Sequence, residues 1–544
     1  MRHRITFVHR PEESIEPDAL ALTETSISGP ALSEAMREDR FTVGLSELPE
    51  NVGLALESFS ELHLRWASTR PYESVAPFTA RVTPGFHLFS ALEKNIDAVE
   101  QLPSCDSPAL CAFVSEAFGP LDCSDPEAFT KRLAEDNPSA PSDVYQFYQP
   151  VASLDAFSEF LKAKFCPLGQ SVEICNEVAG HMKDLISLDL SYDKAAKIVR
   201  LIMTWPMKKH TINISSLPDS SEAPYRTEVG ILTKGVPAHL NPGQVGMGGL
   251  VSVLGESKKP SAVLFSFPSR HQRAEATFSA RFLPPTGLHP VWKLQMSSGA
   301  PPETSEQTSC TPHVYLTLPR SIFVDRYQLA DQLFAQSKNI SALRYSSSPV
   351  DLEKPEYATP TWGSAVLLDL VPPAAVNADG STANAPWTVE IPLHLRYLEP
   401  SNTGYTDLAI PYPAVFWACG AVPASDSDKL GNNPFDRANV GYDSLFEQGT
   451  VFWHVTPEPA TQRASASAAA AQLTSRVSVP VLNARASGWV ELGTAAAVIA
   501  GFVWVVWCLS AGASMARKTV PKKKGDEKTK GDGAETKTKA KKSQ

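Results

Sequence analysis

Thr388–Tyr397 reads TVEIPLHLRY and alternates apolar and polar side chains more clearly than any other stretch of this chain. Its apolar positions fall on one side and its polar positions on the other: Val389, Ile391, Leu393, Leu395 and Tyr397 against Thr388, Glu390, Pro392, His394 and Arg396. Because successive side chains of a β-strand point to opposite faces, this pattern predicts a strand with one buried face.

Similar alternating runs recur along the chain and are separated by turn-forming residues: Phe41–Leu45, Glu61–Trp66, Leu185–Leu190, Ala276–Phe282, His313–Leu318 and Ala365–Leu370. Helical patterns are fewer, and each opens near Asp or Ser: Ser107–Phe118, Asp125–Glu135 and Leu154–Phe165. Short strands separated by turns are typical of antiparallel sandwiches. The sequence therefore predicts a mainly β fold with some helical insertions.

The motif LHLR occurs twice, each time followed by an aromatic residue, within Glu61–Phe89 and Pro392–Trp417. Pro84 and Pro413 follow the two arginines at nearly equal distances, so the second strand of each segment aligns after a short difference in loop length. Either an ancient duplication or convergent hairpin chemistry produces such a match. We therefore expect two antiparallel β-sandwich-like domains, with duplication as one of two explanations.

Composition shifts suggest domain boundaries along the 544 residues. We expect an N-terminal β-rich domain with helical insertions (1–205), a connecting region with strands (206–274), a second β-sandwich domain (275–455), an Ala/Ser/Pro-rich juxtamembrane linker (456–488), a transmembrane helix (492–515) and a basic tail (516–544).

Leu492–Met515 runs for 24 residues without a charge. At a rise of about 1.5 Å per residue, a helix of that length crosses the hydrocarbon core of a bilayer. Trp489 lies at one flank, and Arg517 and Lys518 begin a basic flank at the other. The stretch predicts one transmembrane helix with a cytoplasmic tail, and a buried core helix is the alternative interpretation.

The formal net charge of −10 combines two opposite contributions. The tail from Ala516 to Gln544 holds 11 Lys/Arg and 4 Asp/Glu, whereas the preceding body holds 38 basic and 55 acidic residues. A body with a net charge of −17 has no general attraction for nucleic acid, so no nucleic-acid partner is expected.

The termini bear on the cellular location. Near the amino terminus only Ile5–Val8 is a continuous apolar run, which is too short for the core of a signal peptide. Lys541 and Lys542 have the spacing of a dilysine signal for retrieval to the endoplasmic reticulum. We expect a lumenal body; a tail-anchored protein with a cytosolic body is the alternative, although it would place the basic tail across the membrane.

Two classes of residue indicate covalent modification. Asn213 and Asn339 each begin an Asn-X-Ser sequon, a number that composition alone would supply. None of the eight cysteines has zinc-ligand spacing. Cys310 and Cys419 flank the second sandwich and are a candidate disulfide, although sequence alone leaves the pairing open.

The sequence contains no Walker A loop, GxSxG, HExxH or EF-hand motif. The glycine cluster Gly243–Gly249 lacks the Lys-Ser/Thr of a phosphate loop and favours a packing role, and Asp426-Ser427-Asp428 lies in a polar loop without a preceding apolar strand. We therefore expect no catalytic, cofactor or metal site. A lumenal enzyme with an unrecognised site is the competing hypothesis.

His394 and Arg396 share the polar side of the predicted strand, as His63 and Arg65 do in the first LHLR segment. Such a pair can bind an anionic sugar phosphate, but on a sheet it more often neutralises carboxylates or contacts a partner. We interpret His394 and Arg396 as a candidate partner-contact face.

Several segments of the second half together resemble the PIG-X family, in its long fungal form: GLHP at 287–290, HVYLTLP at 313–319, IFVDRYQL at 322–329, DLEKP at 351–355, PLHLRY at 392–397 and the run 413–419. The opening RITFVHRPE and the single C-terminal helix are similar to that form as well.

The resemblance implies a non-catalytic subunit of glycosylphosphatidylinositol (GPI) mannosyltransferase I in the endoplasmic reticulum membrane. In that family the lumenal domain stabilises a polytopic PIG-M-like catalytic subunit, which adds the first mannose to the GPI precursor. It also leaves open a lumenal chaperone-like role. The family supplies no catalytic residues to carry over.

Overall fold

A computed structural model describes residues 1–48, 53, 56–57, 59–92, 108–132, 144–165, 172–216, 225–235, 240, 243–302, 309–347, 351–372, 385–420, 433–435, 441–447, 449–460 and 471–518. Within these ranges the chain is mainly β, with short helices and one long C-terminal apolar helix. The predicted fold class, mainly β with some helical insertions and one C-terminal apolar helix, is thereby confirmed.

Twelve strands of the described chain form the first sheet: β1 (Arg2–His9), β2 (Ala21–Leu22), β3 (Ser26–Gly44), β4 (Phe59–Ala67), β5 (Gly85–Leu92), β6 (Thr130–Arg132), β7 (Val144–Gln149), β8 (Ser187–Asp193), β9 (Ile198–Ser215), β10 (Arg226–Lys234), β11 (Gln244–Val253) and β12 (Ser261–Pro268). Their order is β12-β11-β10-β1-β3-β9-β8-β4-β5-β7-β6, with β2 paired to β3. All these pairs are antiparallel except β1 with β10, which is parallel.

The second half supplies the remaining described strands: β13 (His271–Phe282), β14 (Val291–Met296), β15 (Cys310–Pro319), β16 (Ile322–Phe323), β17 (Ile340–Ser346), β18 (Gly363–Leu370), β19 (Trp387–Pro392), β20 (His394–Leu395), β21 (Tyr405–Pro411), β22 (Ala414–Cys419), β23 (Val451–Pro457) and β24 (Thr474–Pro480). Eight of them form a sheet in the order β17-β18-β15-β22-β23-β13-β14-β19. Two small sheets pair β16 with β20 and β21 with β24.

The α-helices of the described chain are α1 (Pro108–Phe118), α2 (Asp155–Phe160), α3 (Val172–His181), α4 (Arg326–Ala330), α5 (Gln332–Ser337) and α6 (Ser487–Lys518). A π-helical turn over Leu161–Phe165 extends α2. The helix predicted over Asp125–Glu135 is wrong. Asp125 caps a short 3-10 turn at Pro126–Ala128, and the chain then pairs with β7 as strand β6.

The large sheets share a hydrophobic core, and Met1–Val481 forms one compact unit. Leu64 and Phe86 of the first sheet belong to the same buried cluster as Leu367 and Phe416 of the second. The opposite face of the second sheet packs in another cluster with residues of α4, α5 and the β21–β24 pair. The body is therefore one unit rather than two separate sandwiches.

Several element boundaries differ from the expected divisions. The boundary at 205/206 falls inside β9, and the expected connecting region supplies β10, β11 and β12 to the first sheet. Within the expected linker 456–488, Thr474–Pro480 pairs with β21. Its alternating Val477 and Val479 are buried, which explains why this segment folds into the body.

Candidate partner-binding surface

The strand that begins at Thr388 keeps its predicted alternation only as far as Leu395. Val389, Ile391 and Leu393 are buried, but the pairing of β19 with β14 ends at Pro392 and the chain continues as the two-residue strand β20. Beyond it the two sides exchange: Arg396 is 6% exposed and Tyr397 is 66% exposed. The prediction that Tyr397 points inward and Arg396 outward is therefore wrong.

Arg396 makes structural contacts with two other segments, one at Lys354 and one at Ser321–Phe323. Its Nη1 donates a hydrogen bond to the carbonyl oxygen of Lys354 at 2.6 Å, and its backbone N–H donates to that of Ser321 at 2.9 Å. The guanidinium lies over the Phe323 ring, 4.6 Å from the centroid. Burial lowers the pKa of Arg396 from its usual value. Arg396 thus joins these two segments to its own and has little surface left for a partner.

His394 is half-buried beside a second histidine. Its Nδ1 lies 3.1 Å from Nδ1 of His289, its Nε2 lies 3.3 Å from Oε1 of Gln328, and its ring stacks on Phe323. Burial, together with the neighbouring His289, lowers the pKa of His394. The imidazole is therefore neutral at pH 7, which argues against a role in binding an anion by charge.

Exposed tyrosines lie in the segments that contact His394 and Arg396. Tyr327 precedes Gln328 in α4, and the backbone N–H of Glu356 donates to the carbonyl oxygen of Tyr397 at 2.9 Å, which brings Tyr357 next to Tyr397 in the fold. We define the tyrosine surface as the large exposed side chains of these segments: Tyr327, Leu333, Leu352, Tyr357 and Tyr397. Exposed tyrosines are common at the centres of protein interfaces.

The first LHLR segment lies in a different environment. His63 and Arg65 belong to β4, and both are buried together with Asp189 of β8, which lies directly opposite Arg65. The Arg65 guanidinium forms an ion pair with the Asp189 carboxylate, and Nε2 of His63 lies 3.5 Å from the same carboxylate. The segment is therefore part of the interior.

Strand pairing also separates the two LHLR segments. β4 pairs with β5 and β8 inside the first sheet. The second segment pairs as β20 with β16, and β22, which follows it, pairs with β15 and β23. The sequence similarity therefore has no counterpart in equivalent strand neighbours.

The glycine cluster lies within strand β11, between β10 and β12. Gly249 has a φ of +150°, and a Cβ at this position would overlap the carbonyl oxygen of Ile231. The close approach of the two strands explains the glycine. Asp426 and Asp428 lie outside the described residues.

A buried polar group that no sequence pattern indicated lies between the two large sheets. Nδ1 of His271 is 3.0 Å from Nε2 of His454, and the Tyr442 hydroxyl lies 3.4 Å from the same nitrogen. Burial holds the pKa of His454 well below its usual value. Only the folded chain brings these residues together, because they come from β13, β23 and the intervening loop.

Each half of the body contains a disulfide. Cys310 and Cys419 face each other in the β15–β22 register and are bonded, and Cys111 is bonded to Cys123. Cys508 in α6 is the only free cysteine among those whose side chains the structure describes. Disulfides are characteristic of proteins that fold in an oxidising compartment.

The two sequons differ in accessibility. Asn213 is exposed in β9, whereas Asn339 is half-buried with a φ of +61°. The side-chain nitrogen of Asn339, the atom that would carry a glycan, donates to the carbonyl oxygen of Thr388 at 2.8 Å. Asn213 is therefore the better-placed acceptor.

α6 has the properties of a membrane-spanning helix. Its apolar span, Ala484–Gly512, has a mean hydropathy of 2.1 and none of its most apolar window is buried. The helix begins at Ser487 and ends at Lys518, so it extends beyond the predicted 492–515 at both ends. Lys541 and Lys542 lie outside the described residues. A β-rich body followed by one such helix fits a single-pass membrane protein.

Comparisons with known proteins identify the family of this chain. A model of the PIG-X / PBN1 family matches residues 285–510, which include the tyrosine surface and most of α6. Protein pbn1 of Neurospora crassa is 45% identical over 509 residues, covering 94% of this chain and 95% of the relative. Protein PBN1 of Gibberella zeae is 43% identical over 511 residues with the same coverage. The chain belongs to the PIG-X / PBN1 family.

Family membership supports a role in GPI-anchor biosynthesis. Among solved structures, the C-terminal domain of the Streptococcus agalactiae AgI/II polypeptide BspA aligns with 76% of this chain and 96% of its own. The TM-score of 0.13 and identity of 8% are too low to bear on the fold.

Proposed function

We propose that this chain is a non-catalytic subunit of GPI mannosyltransferase I in the endoplasmic reticulum membrane. Its role is to stabilise a polytopic PIG-M-like catalytic subunit that transfers the first mannose to the GPI precursor. The observation that carries the proposal is the family match over residues 285–510, which joins the tyrosine surface and the membrane helix in one block.

The proposed orientation has a lumenal body and a cytoplasmic tail. The disulfides Cys111–Cys123 and Cys310–Cys419 support it, because the lumen is oxidising and the cytosol is reducing. The basic residues that begin at Arg517 support it as well, since positive charge favours the cytoplasmic side. Lys541 and Lys542 would then be positioned for retrieval.

Two surfaces are suited to holding the catalytic subunit. In the membrane, α6 carries small residues that permit close helix packing, among them Gly493, Ala497 and Gly501. In the lumen, the tyrosine surface supplies exposed aromatic side chains around the half-buried His394. Binding to the folded catalytic subunit alone stabilises that subunit by mass action.

Depletion of this protein from cells tests the proposal directly. We expect the level of the catalytic subunit to fall and unmannosylated GPI precursor to accumulate, both measured against an unrelated membrane protein. Normal subunit levels together with normal mannosylation after depletion would overturn the proposal.

A surface variant locates the contact. Tyr397→Glu places a charge on the tyrosine surface without removing a buried side chain, and we expect it to reduce co-purification of the catalytic subunit about tenfold. Leu264→Glu is the matched control, because Leu264 is similarly exposed on β12 and lies outside the matched block. Equal co-purification of both variants would exclude Tyr397 from the interface.

A further inference from the structure

A cleft of about 550 Å³ lies next to the tyrosine surface, a volume typical of ligand-binding clefts. The carbonyl of Ser321, which accepts the backbone hydrogen bond of Arg396, belongs to a residue of its wall. Tyr148 and Trp362 contribute aromatic rings, packed edge to face at 5.6 Å. Strand β21 contributes the stretch from Leu408 to Ile410.

β21 has an outer edge without a strand partner among the described residues, because it pairs with β24 alone. The backbone bonds at the two ends of the pair, Val481 to Gly404 and Tyr412 to Leu473, fix which positions face β24. Residues opposite each other in an antiparallel ladder alternate between bonded and non-bonded pairs. Even-numbered residues therefore bond to β24, and Asp407 and Ala409 direct their backbone groups outward.

The outward positions are accessible. Asp407 and Ala409 are exposed, and neither has a backbone hydrogen bond to any other described residue. Ala409 also lines the cleft. An open strand edge beside a cleft is the arrangement that binds an added strand in β-augmentation.

The charges around the cleft are mainly acidic. Asp122, Glu356 and Glu399 line it, against one cation among the described lining residues, Arg320, which lies 2.9 Å from Asp122 and 3.9 Å from Glu356. Glu399 is exposed and makes no ion pair with a described residue. This excess of negative charge favours a basic occupant.

We propose that the cleft binds an extended, basic segment of a partner polypeptide, which adds as a strand to the outer edge of β21. Its backbone would pair with Asp407 and Ala409, and its Lys or Arg side chains would lie near Glu399. The proposal does not depend on the identity of the partner proposed above.

Binding of defined peptides to the purified full-length protein in detergent tests the proposal. The probe is a fluorescent peptide of about eight residues that alternates Lys and Val, and the comparison peptides alternate Glu and Val or carry N-methyl groups along one backbone edge. We expect only the unmethylated Lys–Val peptide to bind. Equal binding of the methylated peptide would overturn strand addition, and equal binding of the Glu–Val peptide would overturn the basic chemistry.

Paired variants place the binding at β21. Ala409→Pro removes an outward N–H but no hydrogen bond to β24, and we expect about tenfold weaker binding, close to the loss of one backbone hydrogen bond. Ala262→Pro is the matched control, since Ala262 is an exposed, outward-facing position on edge strand β12. Unchanged peptide affinity in a folded Ala409→Pro variant, with its circular dichroism preserved, would overturn the proposal.

A charge reversal tests the acidic side of the cleft independently of backbone pairing. We expect Glu399→Lys to weaken the Lys–Val peptide several-fold at low salt, with less effect at high salt. Glu275→Lys is the control, because Glu275 is also exposed but does not line the cleft. Equal effects of the two reversals would contradict a specific role for the cleft.

Discussion

The two LHLR segments contain the same four residues but lie in different structural environments. In the first, His63 and Arg65 are buried with Asp189 inside a continuous sheet. In the second, strand β19 ends at Pro392, directly before the motif. There His394 is half-buried, and the buried Arg396 bonds to the Lys354 carbonyl next to an exposed Tyr397. A motif alone therefore does not assign a site; the continuity of its strand and the charge of its neighbours decide whether it is interior or surface.

The largest expected effect comes from removing the carboxylate of the interior segment. Asp189→Ala leaves the Arg65 guanidinium buried without its partner, and we expect a loss of about 3–5 kcal/mol in free energy of unfolding. Denaturant unfolding of the full-length protein measures it.

Arg396→Met is the counterpart in the second segment. It loses one hydrogen bond and a cation–π contact but keeps an apolar side chain, so we expect a loss of about 1–3 kcal/mol. If Arg396→Met destabilised the protein more than Asp189→Ala, this would contradict the conclusion that the first segment is the more buried of the two.

Removal of the disulfide near the second segment should lower the free energy of unfolding by a similar amount. Cys310→Ser opens a loop whose ends are 109 residues apart, and we expect a loss of about 2–5 kcal/mol. Cys508→Ser is the control, since Cys508 is free and exposed. Thermal unfolding with and without reductant measures the effect. Reductant should lower the unfolding temperature less in Cys310→Ser than in the wild-type protein. An equal decrease in both proteins would contradict a structural role for this bond.

The pH dependence of stability sharpens the comparison further. Burial lowers the pKa of His87, which lies opposite Arg65 in the sheet, to about 4. The folded state thus binds fewer protons than the unfolded state, and stability present above about pH 6.5 falls as the pH drops toward 4. Between pH 6.5 and pH 5, the titration of His87 alone should lower the free energy of unfolding by about 2 kcal/mol.

Half-buried His394 should contribute less than His87 to the dependence of the unfolding free energy on pH. We expect His87→Gln to flatten the dependence of the unfolding free energy on pH between 5 and 6.5 more than His394→Gln does. A larger change from His394→Gln would show that the second segment is the more buried of the two in solution.

The smallest effect on stability is expected from the sequons. Asn213→Gln should remove one glycan, detected as a mobility shift after glycosidase treatment, whereas Asn339→Gln should not, because the Asn339 amide is engaged with Thr388. Absence of any glycan on the wild-type chain would argue against the lumenal orientation.

Local patterns were sufficient to predict much of the fold. The alternation in His313–Leu318 and Ala365–Leu370 predicted strands that the structure contains, and the uncharged run at Leu492–Met515 predicted the apolar helix. These predictions succeeded because each depends on one periodic face or on continuous hydrophobicity.

The remaining features depend on partners distant in sequence. Thr474–Pro480 is a strand because it pairs with β21. Arg396 is buried because it donates a hydrogen bond to the Lys354 carbonyl and its guanidinium packs on the Phe323 ring. The tyrosine surface likewise joins three segments separated along the chain. Single-sequence periodicity carries no information about such encounters, so the candidate surface was predicted only at His394 and its neighbours.

The parallel pairing of β1 with β10 has a consequence for biosynthesis. Arg2 lies opposite Arg226, so one edge of β1 stays unpaired until a neighbour roughly 220 residues further along the chain is synthesised, whereas β3 is available early for the other edge. At about 5–20 residues per second, that delay is on the order of 10 to 45 s. During this time Ile5 and Phe7 have only part of their buried cluster available, such as Leu20, Ile27 and Leu32, because Ile212, Val229 and Ile231 come later. The open edge of β1 is therefore a place where a chaperone is expected to bind the nascent chain.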